Sequence, residues 1–180
     1  MTTAKDIFDM ALEEVKCHFT EYQFMVNRDL AWILQKKMGR LIEEHGLPLE
    51  VYHDYPLEKG CCDRKENELV IVSQGTNYRD IFSLKTCAEL VIRVLFEPSK
   101  NRSDICEHHL PRILVPQLTH DIETIESLVV NHRSREGICL LIDENSRHRH
   151  QIIQTSQIAW SWWGDYEDLG LNVSVLVAHF

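Results

Sequence analysis

Apolar positions recur at three- and four-residue spacing in two stretches near the start of the chain. Ile7, Phe8, Met10, Ala11, Leu12, Val15 and Phe19 are interspersed with Glu13, Glu14 and Lys16, which predicts an amphipathic helix over residues 4–20. A second helix is predicted to start at a capping Asp29. Leu30, Ile33, Leu34, Met38, Leu41 and Ile42 form its apolar stripe, and His45-Gly46 ends it.

Beyond Gly46 the period drops to two. Leu47, Leu49, Val51 and His53 alternate with Pro48, Glu50, Tyr52 and Asp54 until Pro56, the pattern of a strand. A turn-rich connection at Gly60-Cys61-Cys62-Asp63 leads to Glu68-Leu69-Val70-Ile71-Val72, a short apolar run suited to a strand covered on both faces. Residues 75–80 are expected to form a loop. The longest strand-like run, Ala88 to Phe96, is closed by Pro98 and belongs at or near the sheet centre. Residues 98–118 hold three prolines and little periodicity, which predicts a connecting loop. Thr119-His120-Asp121 then caps a helix carrying Ile122, Ile125, Leu128 and Val129 on one side. Gly137 to Ile142 returns to a strand and Asp143 to Ser146 to a turn. Arg147 to Ile153 is expected as the hairpin return, followed by tryptophan-rich turns and a last strand from Val173 to Phe180. The sum is an α/β chain in the order helix, strand, strand, strand, helix, strand, with a hairpin and a terminal strand appended.

No repeat, low-complexity stretch or Gly/Ser/Pro linker interrupts the 180 residues, so a single domain is expected over 1–180, with residues 1–25 as an N-terminal helical extension. The 44% hydrophobic and 26% charged content is that of a folded chain. Nineteen Lys and Arg against 28 Asp and Glu give a net charge of -9, a field that repels polyanions and disfavours general nucleic-acid binding. The six cysteines are scattered, and neither a secretory apolar segment nor a membrane-length apolar run occurs. A cytoplasmic chain with free thiols and no membrane association is expected from these features.

The element order, with Glu68 opening the second strand and a long third strand ending in Glu97-Pro98, resembles the PD-(D/E)XK, or restriction-endonuclease-like, superfamily. Glu68-Leu-Val-Ile-Val and Ala88-Glu-Leu-Val-Ile-Arg-Val-Leu-Phe-Glu-Pro-Ser are most similar to a bacterial and cyanobacterial branch of it, and Ile142-Asp143-Glu144 and Trp160 to Trp163 extend the likeness. The resemblance implies an αβββαβ core, a mixed sheet flanked by helices. It also implies a metal site in which an acid on the second strand and an acid on the third hold a magnesium ion. A lysine two residues beyond the second acid completes that site. Glu68 matches the first acid, but the Glu-x-Lys slot reads Arg93-Val94-Leu95. A guanidinium in place of a carboxylate repels a divalent ion by about 8 kcal/mol at 4 Å and an effective dielectric of about 20, and Leu95 cannot activate water. The active site is therefore read as degenerate.

Two arrangements follow from that reading. Arg93 pairs with Glu68 or Glu89 as an ion pair inside the former cleft. Alternatively the metal site has moved, since Glu89, Val91, Arg93, Leu95 and Glu97 share a strand face and Glu43 or Glu44 of the preceding helix lies near in such folds. Elsewhere, Cys106-Glu107-His108-His109 with His120 is a dense set of soft ligands, without the paired-cysteine knuckle of a zinc site. Arg147-His148-Arg149-His150 is a basic run. Alternation puts Arg147 and Arg149 on one face of a charged edge strand, where they either guard the edge or, with Trp162, contact phosphate and base. Trp160, Trp162 and Trp163 more often pack the end of a sheet or build a subunit interface, as in a homodimer.

The expected function is that of a nuclease-like fold without metal-dependent cleavage, acting by binding or assembly and needing no cofactor. One alternative is a metal-dependent nuclease using magnesium with relocated acids. The other is a DNA-associated regulator. The candidate residues are Glu68, Glu89, Arg93 and Glu97 for the degenerate site and Arg147, Arg149 and Trp162 for binding.

Overall fold

The computed structural model describes residues 2–57, 68–102 and 112–180. Its elements are α1 (Ala4–Cys17), α2 (Asn27–Glu44), β1 (Leu49–His53), β2 (Glu68–Ser73), α3 (Tyr78–Phe82), β3 (Ala88–Glu97), α4 (Val115–Val130), β4 (Ser134–Asp143), β5 (Ile158–Tyr166) and β6 (Leu171–His179). The strands form one mixed sheet in the order β1-β2-β3-β4-β6-β5. β3 and β4 run parallel with α4 as the crossover between them, and the other neighbours pair antiparallel. The chain is thus α/β, a mixed sheet flanked by helices. Among the described residues no helix is long and apolar enough to cross a membrane.

Strand alternation divides the interior in two. Leu90, Ile92, Val94 and Phe96 of β3 pack with Ile138, Leu140 and Ile142 of β4 under α1 and α2. Val91 and Leu95 pack with Cys139 and Leu141 under Leu118, Ile122 and Ile125 of α4. β3 is buried along its length except at half-buried Glu89, because both faces are covered, so its apolar run shows no polar alternation. α1 belongs to this core: Ile7, Phe8, Ala11 and Val15 are fully buried. Its capping box, Thr3 with Asp6, fixes where it begins.

Several boundaries depart from the sequence expectation for local physical reasons. α2 begins at Asn27, and Asp29 sits inside its first turn, accepting from the amides of Met25 and Val26 at 2.8 and 3.0 Å. The expected loop at 75–80 contains the start of α3, a single turn capped by Asn77, whose side chain accepts from the Arg79 amide. Five residues are too few to register a period. α4 starts at Val115 rather than Thr119, because Pro116 sits in the first turn, where its missing N–H is not required. Arg147 to Ile153 is not a strand. The antiparallel neighbour of β4 is β6, and the hairpin is β5–β6, with β5 in the segment expected as tryptophan-rich turns. The alternation of β5 is hidden by a register shift between Trp162 and Gly164, which brings Trp163 and Tyr166 to the same core.

Candidate active site and its internal cations

Antiparallel pairing of β2 with β3 places Glu68 directly opposite Arg93. Directly opposed residues share a face with their Cβ atoms roughly 5 Å apart, so the two side chains meet by register alone. The Arg93 Nε donates to Glu68 Oε1 at 3.1 Å, and Nη2 donates to the same oxygen. From the layer above, α4 lowers Asp121 onto the other arm of the fork, with Arg93 Nη1 to Asp121 Oδ1 at 2.6 Å. Arg93 is 4% exposed and Asp121 5%, so both are buried, while Glu68 at the strand start is half-buried. The neighbouring β4 contributes Cys139, in register with Arg93. Burial pushes its thiol well above the ordinary range, the Asp121 carboxylate adds to that, and the Arg93 guanidinium opposes it.

The other acids on this face of β3 are engaged separately. Glu89 lies toward the start of the strand, where it accepts from the Ser73 hydroxyl at 2.7 Å and pairs with Arg135 at 3.1 Å. Of the two partners open to Arg93 in the sequence, Glu68 is the one it meets. Glu97, at the far end, is 4% exposed. It accepts from the Ile113 amide at 3.1 Å, bonds His148 Nε2 at 2.8 Å and pairs with Arg147 at 3.2 Å. Burial works to raise its pKa, but the His148 hydrogen bond and the fields of His148 and Arg147 outweigh it and leave the carboxyl below the ordinary glutamate range. Asp143, in register with Glu97 on β4, has the opposite balance. Its burial outweighs the amides of His148 and Asn145 that it accepts from, and its pKa is raised. Glu144 accepts from the Ser99 amide and from Arg102. Glu43 and Glu44 are exposed, and Glu44 pairs with Arg40 on its own helix.

The basic run does not form a charged edge. Because the two Asp143 oxygens draw in the amides of Asn145 and His148, residues 145–148 curl into a turn, and the strand alternation expected for Arg147 and Arg149 is lost. His148 is fully buried against Glu97, and Arg147 donates to the Ile113 carbonyl as well as pairing with Glu97. Arg149 is exposed. Of the tryptophans, Trp163 packs edge-on against Phe19, Trp160 donates to the Ile152 carbonyl, and Trp162 is 52% exposed on the edge strand β5. His120 is exposed on α4, and the remaining members of its cluster, Cys106, His108 and His109, lie outside the described residues, as do Cys61 and Cys62.

Sequence reasoning missed Asp121, Asp143 and His148. Asp121 was legible: it falls between Leu118 and Ile125 on the apolar stripe of α4, where an acid must find a buried cation. Asp143 and His148 gave no such signal, since their roles come from a turn.

A divalent ion does not fit the Glu68 and Asp121 pair, because both carboxylates are turned to a fixed guanidinium and the next inward position on β3 is Leu95. Among the described residues no group of three or more His, Cys, Asp or Glu side chains could hold a metal ion. The chain matches no protein-family model, no curated protein and no solved structure.

Proposed function

We propose that this chain is a restriction-endonuclease-like scaffold that acts in the cytoplasm by binding or assembly and does not hydrolyse phosphodiesters. The observation that carries the reading is the guanidinium of Arg93 shared between Glu68 and Asp121. In a working nuclease of that superfamily the corresponding charge is a divalent ion held by carboxylates; here a permanent side-chain cation satisfies them instead. The order α2-β1-β2-α3-β3-α4-β4, in which α3 is a single turn between two strands and β3 and β4 run parallel, supports the scaffold. Leu95 supports the loss of chemistry, because an aliphatic chain neither orients nor deprotonates water. The pairing of Glu89 with Arg135, and of Glu97 with His148 and Arg147, speaks against a relocated metal site, since those acids are already neutralised by the protein's own side chains.

Calorimetric titration with Mg²⁺ and Mn²⁺, together with cleavage assays on single- and double-stranded DNA and RNA, tests this reading. The expected result is no saturable heat and no metal-dependent product. Saturable metal binding with cleavage that disappears in Glu68→Gln would overturn it.

A further inference from the structure

Arginines in this protein are mostly committed. Arg40 pairs with Glu14 and Glu44, Arg135 with Glu89 and Arg147 with Glu97, while Arg133 donates to two carbonyls and Arg79 lies over the Tyr78 ring. Arg93 and Arg102 are held by the acids already described. Arg28, Arg112 and Arg149 differ, since among the described residues none of them has a hydrogen-bond or ion-pair partner. Two of these three line the same cavity. It has a volume of about 300 Å³, lies beyond the end of β3, and is bounded also by Asn27, Phe96, Pro98 and Gln117.

Uncompensated cations gathered at one hollow of a chain with net charge -9 are not explained by packing or by the overall charge balance. Two guanidiniums facing one cavity repel each other, and an anion between them turns that repulsion into attraction. The amide side chains of Asn27 and Gln117 add neutral hydrogen-bond donors. Asn27 has its Oδ1 occupied by the Phe96 amide at 2.8 Å, so its NH₂ remains for another acceptor.

Arg28 also lines a second cavity, of about 440 Å³, whose wall is aromatic and apolar: Tyr22, Phe24, Trp32 and Ile33. Asp29, the acid among its described lining residues, is turned to the amides of Met25 and Val26. Arg28, Trp32 and Lys36 follow one another at four-residue spacing on α2 and so share one helix face. Trp32 is 55% exposed, with Lys36 Nζ 4.4 Å from its ring centroid. An exposed indole beside two cations suits a ligand that pairs a flat ring with a phosphate.

We infer that the paired cavities flanking Arg28 bind a nucleoside phosphate, with its phosphate held by Arg28 and Arg112 and its base stacked on Trp32. A small ligand fits the charge balance better than a polymer, because the acidic whole opposes each additional phosphate along a strand while two arginines satisfy one. This supplies a ligand class for the binding role proposed above, yet it uses none of the residues on which the loss of metal chemistry rests. A negative outcome here leaves the metal titrations unaffected.

The test is calorimetry and tryptophan fluorescence on the full chain with AMP and GMP, set against adenosine, inorganic phosphate and 5′-phosphorylated and unphosphorylated oligonucleotides. Arg28→Ala, Arg112→Ala and Trp32→Ala serve as variants, with folding checked by circular dichroism. The expected result is saturable nucleotide binding with quenching of tryptophan emission. Each arginine variant should bind more weakly by on the order of tenfold, the loss of one charge-assisted contact, adenosine by on the order of a hundredfold because it loses both, and Trp32→Ala should lose the quenching and on the order of tenfold in affinity. Preference for the 5′-phosphorylated over the unphosphorylated oligonucleotide, lost with either arginine variant, would place the same phosphate on a strand terminus and support the site. Absence of nucleotide binding, or binding unchanged in all three variants, overturns it, as does oligonucleotide binding indifferent to the terminal phosphate.

Discussion

Replacing Arg93 with methionine keeps much of the side-chain volume on β3 and removes the guanidinium that Glu68 and Asp121 share. The two carboxylates bond opposite parts of one guanidinium, so they are left roughly 5 Å apart, where two anions at an effective dielectric of about 20 repel by about 3 kcal/mol. Each also loses a charge-assisted hydrogen bond in a site where Asp121 is 5% exposed. Breaking a buried pair by removing one partner costs about 3–5 kcal/mol, a large part of the roughly 5–15 kcal/mol that holds a domain together. Glu68→Gln, Arg93→Met and Asp121→Asn combined remove all three charges and are expected within about 1 kcal/mol of the parent, because desolvation of the ions disappears with their attraction. Arg93→Lys should lie between, since an ammonium cannot reach both acids with a planar fork. Urea unfolding followed by fluorescence and circular dichroism measures these differences. The electrostatic account is refuted if Arg93→Met costs less than about 1 kcal/mol, or if the triple variant is as unstable as the single one.

Two further outcomes follow from particular contacts. Gly137→Ala would set a Cβ 2.6 Å from Ile125 Cγ2 and 2.9 Å from Val129 Cγ2, so α4 must lift from β4; a loss of about 1–3 kcal/mol in urea unfolding is expected, and an unchanged midpoint would contradict the close approach. Glu97 has a lowered pKa, so the stability it contributes is present above the ordinary glutamate value of 4.5 and is lost as the pH falls through its lower folded value. The stability difference between the parent and Glu97→Gln should therefore be largest near neutrality and shrink in acid below that value; a gap that is constant with pH would show that the Glu97 charge contributes nothing.

Much of the layering was legible before any coordinates. The stripes of α1 and α2, the apolar runs of β2 and β3 and the position of β3 in the sheet follow from side-chain period, because a helix or strand with one or two covered faces must place its apolar residues accordingly. The candidate site was legible in part. A lone arginine in an apolar strand has to be neutralised, and Glu68 was one of two acids within reach; the choice between Glu68 and Glu89 was made by the β2–β3 register. Signals failed where a single hydrogen-bonded turn outranked periodicity. Asp143 bends residues 145–148 and buries His148, so a run that alternates like a strand becomes a turn, while β5 takes up the tryptophans across a register shift.

The sequence by itself determined that this chain is α/β, that its central strand is covered on both faces, and that a cation, Arg93, interrupts the apolar run of that strand. These are local properties, set by side-chain period and by charge. Only the tertiary structure decided which acids meet which cations. Asp121 reaches Arg93 from α4, Glu97 is bound by His148 from a turn 51 residues away, and Arg28 and Arg112 come to one cavity with no acid among its described lining residues. Pairings at that separation depend on strand register and helix docking, which minimise exposed apolar surface and unpaired buried charge over the whole molecule at once, and no local stretch of sequence carries that sum.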